Sequence, residues 1–171
     1  MDLKGFSMPR WVVPALLAVA VFFLLRHGCG GLGIREGDEA KPFRADPARG
    51  GPAVTLASVQ GRPFAVVFFA TWCGSCREEL PAVARVHAER RDLSILAVSD
   101  EAPATVKSYL DRARLDLDAY GGAGVMLGSY GIHALPSAVV VGADGRVAYA
   151  GEGGSAVGRA LTRLVEMAGP P

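Results

Sequence analysis

Cys73 and Cys76 stand three apart in Trp72-Cys73-Gly74-Ser75-Cys76, where the apolar run Phe64-Ala65-Val66-Val67-Phe68-Phe69-Ala70 gives way to a more polar, helix-like stretch. A Cys-x-x-Cys pair serves reversible thiol–disulfide exchange or supplies half of a structural zinc site. Zinc would need two more ligands, and no second Cys-x-x-Cys or His-x-x-x-His follows. The spacing therefore points to redox chemistry. At a helix start, unpaired N–H groups and the positive end of the helix dipole favour the thiolate of the first cysteine. A thiol whose pKa falls from about 8.5 to near 7 goes from roughly 3% to about half ionised at pH 7, raising the attacking population more than about tenfold. The i, i+3 spacing puts Cys76 on the same helical face, one turn deeper, where it can resolve a mixed disulfide. Cys29 is left over, as a free thiol, a partner in an interchain disulfide or a site of acylation.

The elements that must position this pair follow from apolar patterning. Phe64 to Ala70 is continuous rather than alternating, as expected of a strand buried on both faces. A helix is predicted from about Gly74 to Arg91, with Leu80, Val83, Ala84, Val86 and His87 along one stripe and Pro81 inside it. Leu93 to Val98 reads as a second buried strand and Pro103 to Arg114 as a second helix. That order of strand, helix, strand and helix demands parallel pairing. A short strand is predicted over 115–119 and a short helix over 125–130. Ser137 to Val141 and Arg146 to Ala150, joined by Gly142-Ala143-Asp144-Gly145, form a hairpin. Ser155 is placed as the cap of a last helix ending near Ala168. Upstream, Pro42-Phe43 and Ala53 to Leu56 flank a turn-rich segment and predict a smaller hairpin.

The 171 residues, half of them hydrophobic, suffice for one compact domain. Four segments are expected: 1–10 as a short cytoplasmic N-terminus, 11–26 as a membrane anchor, 27–40 as a tether rich in glycine and charge, and 41–171 as the globular domain. The anchor rests on the uncharged stretch from Trp11 to Leu25 between Arg10 and Arg26. About 15 helical residues reach only about 22 Å against a hydrocarbon core of roughly 30 Å, so flanking residues must contribute and the two arginines must snorkel. A cleaved signal peptide is the competing reading, although no small-x-small cleavage site follows. The net charge of +1, with lysines and arginines scattered, offers no basic patch for nucleic acid.

The stretches Val66-Val67-Phe68-Phe69-Ala70-Thr71-Trp72-Cys73-Gly74-Ser75-Cys76-Arg77-Glu78-Glu79-Leu80-Pro81 and Tyr130-Gly131-Ile132-His133-Ala134-Leu135-Pro136-Ser137 resemble the thioredoxin superfamily, above all its TlpA/ResA-like branch of exported, often membrane-tethered thiol:disulfide oxidoreductases. The resemblance covers about Pro42 to Ala168. It implies an α/β thioredoxin-like fold, a central mixed sheet flanked by helices, preceded here by one N-terminal transmembrane helix. It further implies a cis peptide at Leu135-Pro136 facing the dithiol, Cys73 as nucleophile, Cys76 as resolving cysteine and Glu79 as an active-site acid. Trp72, Gly74 and Ser75 complete the expected site. Three positions depart from the family pattern. Val67 stands where a polar residue is common, Ser75 where proline is common in reducing members, and Ser137 where the cytochrome c maturation subfamily has an acid.

By helical azimuth, Glu79 falls within about 60° of Cys76, whereas Glu78, about 160° away, points outward. The bland reading makes Glu79 a solvated helix residue like Glu78, His133 an exposed loop residue and His87 a packed one. The expected function is reduction of protein disulfides outside the cytoplasm, with electrons supplied by an integral membrane thiol carrier and no cofactor, since the dithiol carries both electrons. The rival is a Cu(I) metallochaperone or thiol reductant for oxidase copper sites, with His133 or Met126 as a third ligand beside the two thiolates.

Overall fold

The structure is a computed structural model that describes Pro14, Leu17 and residues 32–170. The expected anchor 11–26, apart from Pro14 and Leu17, lies outside the described residues, as do segment 1–10 and Cys29. Among the described residues no helix is long and apolar enough to cross a membrane.

Strands β1 (Arg44–Pro47), β2 (Val54–Thr55), β3 (Phe64–Phe68), β4 (Ser94–Val98), β5 (Ala119–Gly121), β6 (Ser137–Val141) and β7 (Val147–Glu152) make one mixed sheet in the order β2-β1-β5-β4-β3-β6-β7. β3 pairs with β4 in parallel and with β6 antiparallel, so it is an interior strand of the sheet. Its continuous apolar run is buried throughout, as that position requires. Phe64, Val66 and Phe68 face one core cluster while Ala65, Val67 and Phe69 face the other.

The helices are α1 (Leu56–Val59), α2 (Gly74–Glu89), α3 (Pro103–Ala113), α4 (Gly124–Tyr130) and α5 (Gly154–Ala168). Apolar residues of α2, α3 and α5, among them Leu80, Val83, Leu110, Val157 and Leu164, join the cluster that contains both cysteines. Met126 and Tyr130 of α4 join the opposite cluster with Phe43, Val54 and Ile34. Each buried phenylalanine contributes about 1.5–3 kcal/mol. The surface pairs, such as Arg44–Asp46 at 3.2 Å with both partners largely solvated, contribute about 0–1 kcal/mol each. Burial on the two sheet faces therefore holds the fold.

Several boundaries differ from expectation. Residues 32–40 dock on the domain instead of forming part of a tether. Ile34 is buried, Gly37 N–H donates to Val147 O at 2.8 Å, Val147 N–H to Asp38 O at 2.9 Å, and Ala40 N–H to Gly145 O at 2.9 Å. The upstream hairpin forms, but Asp46 and Pro47, expected in its turn, extend β1 because they pair with Tyr120 and Gly121 of β5. The strand expected over 115–119 starts only at Ala119, where β4 becomes its partner. Leu56, expected as strand, instead opens α1, with Thr55 and Ser58 as its capping box. Ser155 does not cap α5. The helix begins at Gly154 with Gly153 as its cap, in a backbone conformation (φ 83°) open to glycine.

One close approach fixes the end of α4. Gly131 has φ 63°, and a Cβ there would stand 2.5 Å from the Cα of Gly33, whose N–H donates to Gly131 O at 3.2 Å. Only glycine fits this backbone-to-backbone contact. The neighbouring Tyr130 is fully buried and donates to Lys41 O at 3.0 Å. Burial pushes its phenol up from 10.0 to about 12. The folded state thus keeps the proton that the unfolded chain releases near pH 10, so this contribution to stability is complete below pH 10 and is lost as pH rises toward 12. Denaturant titrations at pH 9 and pH 11.5 are expected to show a fall in stability that Tyr130→Phe makes shallower. An equal fall in both proteins would exclude Tyr130 as its source.

Candidate active site

The sheet brings the dithiol and the proline loop to one end. β3 leads through Phe69 and Ala70 to Cys73, and Ser137, at the start of β6, is the register partner of Phe68. Pro136 therefore emerges beside the strand that delivers the cysteines. The Leu135-Pro136 peptide is cis, as the resemblance implied. Pro136 O accepts from Gly153 N–H at 2.7 Å, and Ser137 Oγ donates to Ala134 O at 2.7 Å, tying the loop to the start of α5 and to itself.

Cys73 and Cys76 are joined as a disulfide with Cα atoms 5.3 Å apart. Cys73 is the N-cap of α2, and its Sγ accepts from Cys76 N–H at 3.2 Å. That bond places the sulfur where an unpaired helix N–H stabilises negative charge. The Ser75 hydroxyl lies 3.4 Å from the same sulfur and is the only one of the two with a hydrogen to donate in the disulfide state. Cys76 is wholly buried, whereas Cys73 keeps 7% of its surface. The depth order is the expected one, though the outer cysteine is more covered than a freely exposed thiol. Trp72 is 69% exposed next to it, and Gly74 has open space where a Cβ would stand.

Glu79 is partly buried and Glu78 exposed, as the helical azimuths require. The Glu79 carboxylate leans across to α5, and a Cβ on Gly154 would come within 2.9 Å of its Oε1. Gly153, the adjoining residue, is the one bonded to Pro136 O. Glu79 thus faces the seam between the cysteine helix and the cis-proline loop. Val67 lies in the cysteines' own cluster and carries no titratable group.

The metal-ligand expectations fare differently. Met126 is buried in the cluster on the opposite face of the sheet and cannot reach the sulfurs. His133 is exposed on the loop before Leu135. Among the described residues no group of three His, Cys, Asp or Glu side chains gathers as a metal site. His87 is buried, with Arg91 2.9 Å from its Nε2.

Sequence reasoning missed Thr71, Ser99 and Glu101. Thr71 N–H donates to Glu101 Oε2 at 2.6 Å, the Thr71 hydroxyl to Oε1 at 2.7 Å, and the Ser99 hydroxyl to Oε2 at 3.1 Å. The available signal was Ser99-Asp100-Glu101 at the end of a buried strand parallel to β3, since parallel neighbours bring their C-terminal ends together.

Comparison with known proteins agrees with this geometry. The thiol-disulfide oxidoreductase ResA of Halalkalibacterium halodurans is 26% identical over 124 residues, covering 70% of each chain. The thiol:disulfide interchange protein CycY of Rhizobium leguminosarum bv. viciae is 32% identical over 120 residues, covering 67% of this chain and 62% of CycY. A crystal structure of a putative thiol:disulfide interchange protein DsbE from Chlorobium tepidum superposes with a TM-score of 0.69 at 20% identity, covering 80% of this chain and all of that one. Residues 37–150 match the AhpC/TSA family, a span that holds the dithiol, Glu79 and the cis-proline. By sequence, fold and placement of the cysteine pair, the chain belongs to the AhpC/TSA family and groups there with thioredoxin-like thiol-disulfide oxidoreductases.

Proposed function

We propose that the protein is a membrane-tethered, extracytoplasmic reductant of protein disulfides, recharged by an integral membrane thiol carrier. The observation that carries this reading is the Cys73–Cys76 disulfide at the junction of β3 and α2, with one sulfur capping the helix and the other buried behind it. In the reduced state the Cys73 thiolate attacks a substrate disulfide. One Cys73–substrate S–S bond forms, and the first substrate thiolate leaves. The Cys76 thiolate then attacks the Cys73 sulfur, closing the intramolecular disulfide and releasing the second substrate thiol. Two electrons and two protons have moved to the substrate, and a donor dithiol restores both cysteines by the reverse exchange. The partial burial of Glu79 at its contact with the start of α5 supports a role as acceptor of the proton from Cys76, which sits in apolar surroundings that disfavour its thiolate.

The extracytoplasmic site and the tether are supported by the uncharged stretch from Trp11 to Leu25 and by the compartment in which protein disulfides persist. Trapping thiols in intact cells with an alkylating agent is expected to find Cys73 and Cys76 mainly reduced; a mainly oxidised pair would make the protein an oxidant. In the same cells, carbonate-washed membranes are expected to retain the chain with residues 1–26 attached. Recovery of a soluble form whose N-terminus lies beyond Leu25 would instead identify a cleaved signal peptide.

A further inference from the structure

The structure assigns Glu101 as the positioning residue of the loop that presents Trp72 and Cys73, an assignment that rests on the dithiol reading above. Its carboxylate is partly buried and receives three donors, two of them from Thr71 and one from the buried Ser99. Thr71 is the residue directly before the exposed Trp72 and two before the reacting sulfur. Glu101 therefore grips the loop by both its backbone and its side chain at the last point before the nucleophile.

Glu101 is itself held from behind. Its N–H donates to Ser99 Oγ at 3.2 Å, and its carbonyl accepts from Gly122 N–H at 2.8 Å. A Cβ on Gly121 would stand 2.6 Å from that carbonyl oxygen, so β5 presses against the same peptide. On the loop's other side, Arg77 Nε donates to Thr71 O at 3.3 Å. The chain from Ala70 to Cys73 is thus clamped between the ends of β4 and β5 and the first turn of α2. Three hydrogen bonds on one side chain fix the loop, and a small displacement of an attacking atom is costly in rate. Glu101 acts through Thr71 and touches neither sulfur, which separates its role from that of an acid or base.

Amide and carboxylate differ here in a useful way. A glutamine at 101 keeps one oxygen for the Thr71 N–H, and the Thr71 hydroxyl can turn to accept from the amide NH2. An alanine leaves both Thr71 donors without a partner. The test uses the full chain in detergent with Trp11→Phe, so that Trp72 is the sole tryptophan. Glu101→Ala is expected to slow attack on insulin disulfides about 10- to 100-fold and to lower the fluorescence anisotropy of Trp72. Glu101→Gln is expected to stay within about threefold of the parent in rate and to keep its anisotropy. Thr71→Val, which removes only the hydroxyl bond, should lower the anisotropy and keeps the proposal testable if Glu101→Ala does not fold.

A rate for Glu101→Ala within about fivefold of the parent would overturn the assignment, because a positioning clamp is worth more than that. Glu101→Gln as slow as Glu101→Ala would also overturn it, since the negative charge rather than the grip would then be the active feature. If the parent chain fails to attack insulin disulfides at all, the oxidoreductase reading falls, while the Trp72 anisotropies still decide whether Glu101 holds the loop.

Discussion

Cys73→Ser is expected to abolish mixed-disulfide formation with a protein disulfide, while Cys76→Ser is expected to let it form and then persist. The reasoning starts from the helix cap. Sγ of Cys73 accepts the Cys76 N–H and lies beside the Ser75 hydroxyl, so two donors can stabilise its thiolate. Cys76 has no exposed surface, and a substrate protein cannot reach it directly. Removing Cys73 leaves only the buried sulfur of the pair, and turnover through the Cys-x-x-Cys site should fall to background. Removing Cys76 leaves the attack intact and deletes the neighbouring sulfur that would release the product. Gel analysis of covalent adducts after mixing with a disulfide-bonded substrate reads both outcomes. Timed alkylation of the reduced protein at neutral pH should modify Cys73 well before Cys76. Faster labelling of Cys76 would reverse the assignment of roles.

Glu79→Gln is expected to slow resolution of the mixed disulfide by about 10²-fold, the lower range for a positioned proton acceptor. The demand arises from Cys76, whose surroundings in the core are apolar and whose proton must leave before its sulfur can attack. Val67 offers no acceptor, whereas Glu79 is partly buried on the cysteine side of α2, at the seam with Gly154 and the loop bound to Pro136. Rapid-quench measurement of mixed-disulfide decay across pH separates this step from the initial attack. The wild type should resolve at near-neutral pH and Glu79→Gln only as pH approaches the range of an unassisted thiol. Glu78→Gln, altering an exposed side chain one residue away, should match the wild type. Superimposable pH profiles for the wild type and Glu79→Gln would reduce Glu79 to an ordinary helix residue.

What could be read along the chain was what depends on neighbours in sequence. The Cys-x-x-Cys spacing, the uninterrupted apolar run of β3, the glycine-rich turn between β6 and β7 and the amphipathic period of α2 each carry their signal within a few residues. The helical period also separated Glu79 from Glu78 correctly, because azimuth on one helix needs no tertiary information. The family resemblance supplied the cis Leu135-Pro136 bond, which no local pattern distinguishes from a trans turn.

What the sequence left open was decided by partners far along the chain. Asp46 and Pro47 have the composition of a turn, yet they become strand because β5 offers them backbone groups to pair with. Ile34 sits in a stretch rich in glycine and charge and is drawn into the core by the space beside α4. Met126 is apolar at a helical spacing that leaves its sheet face undetermined, and packing sends it away from the sulfurs. Glu101 lies 30 residues from Thr71, and nothing in either neighbourhood announces their contact. It exists because the parallel pairing of β3 and β4 brings both strand ends to the same edge of the sheet. Local composition and period set which elements form and where the reactive pair stands. Tertiary packing alone chose the partners that hold the pair, since hydrogen bonds between distant residues follow from sheet register and from which face of each element finds apolar surface to bury.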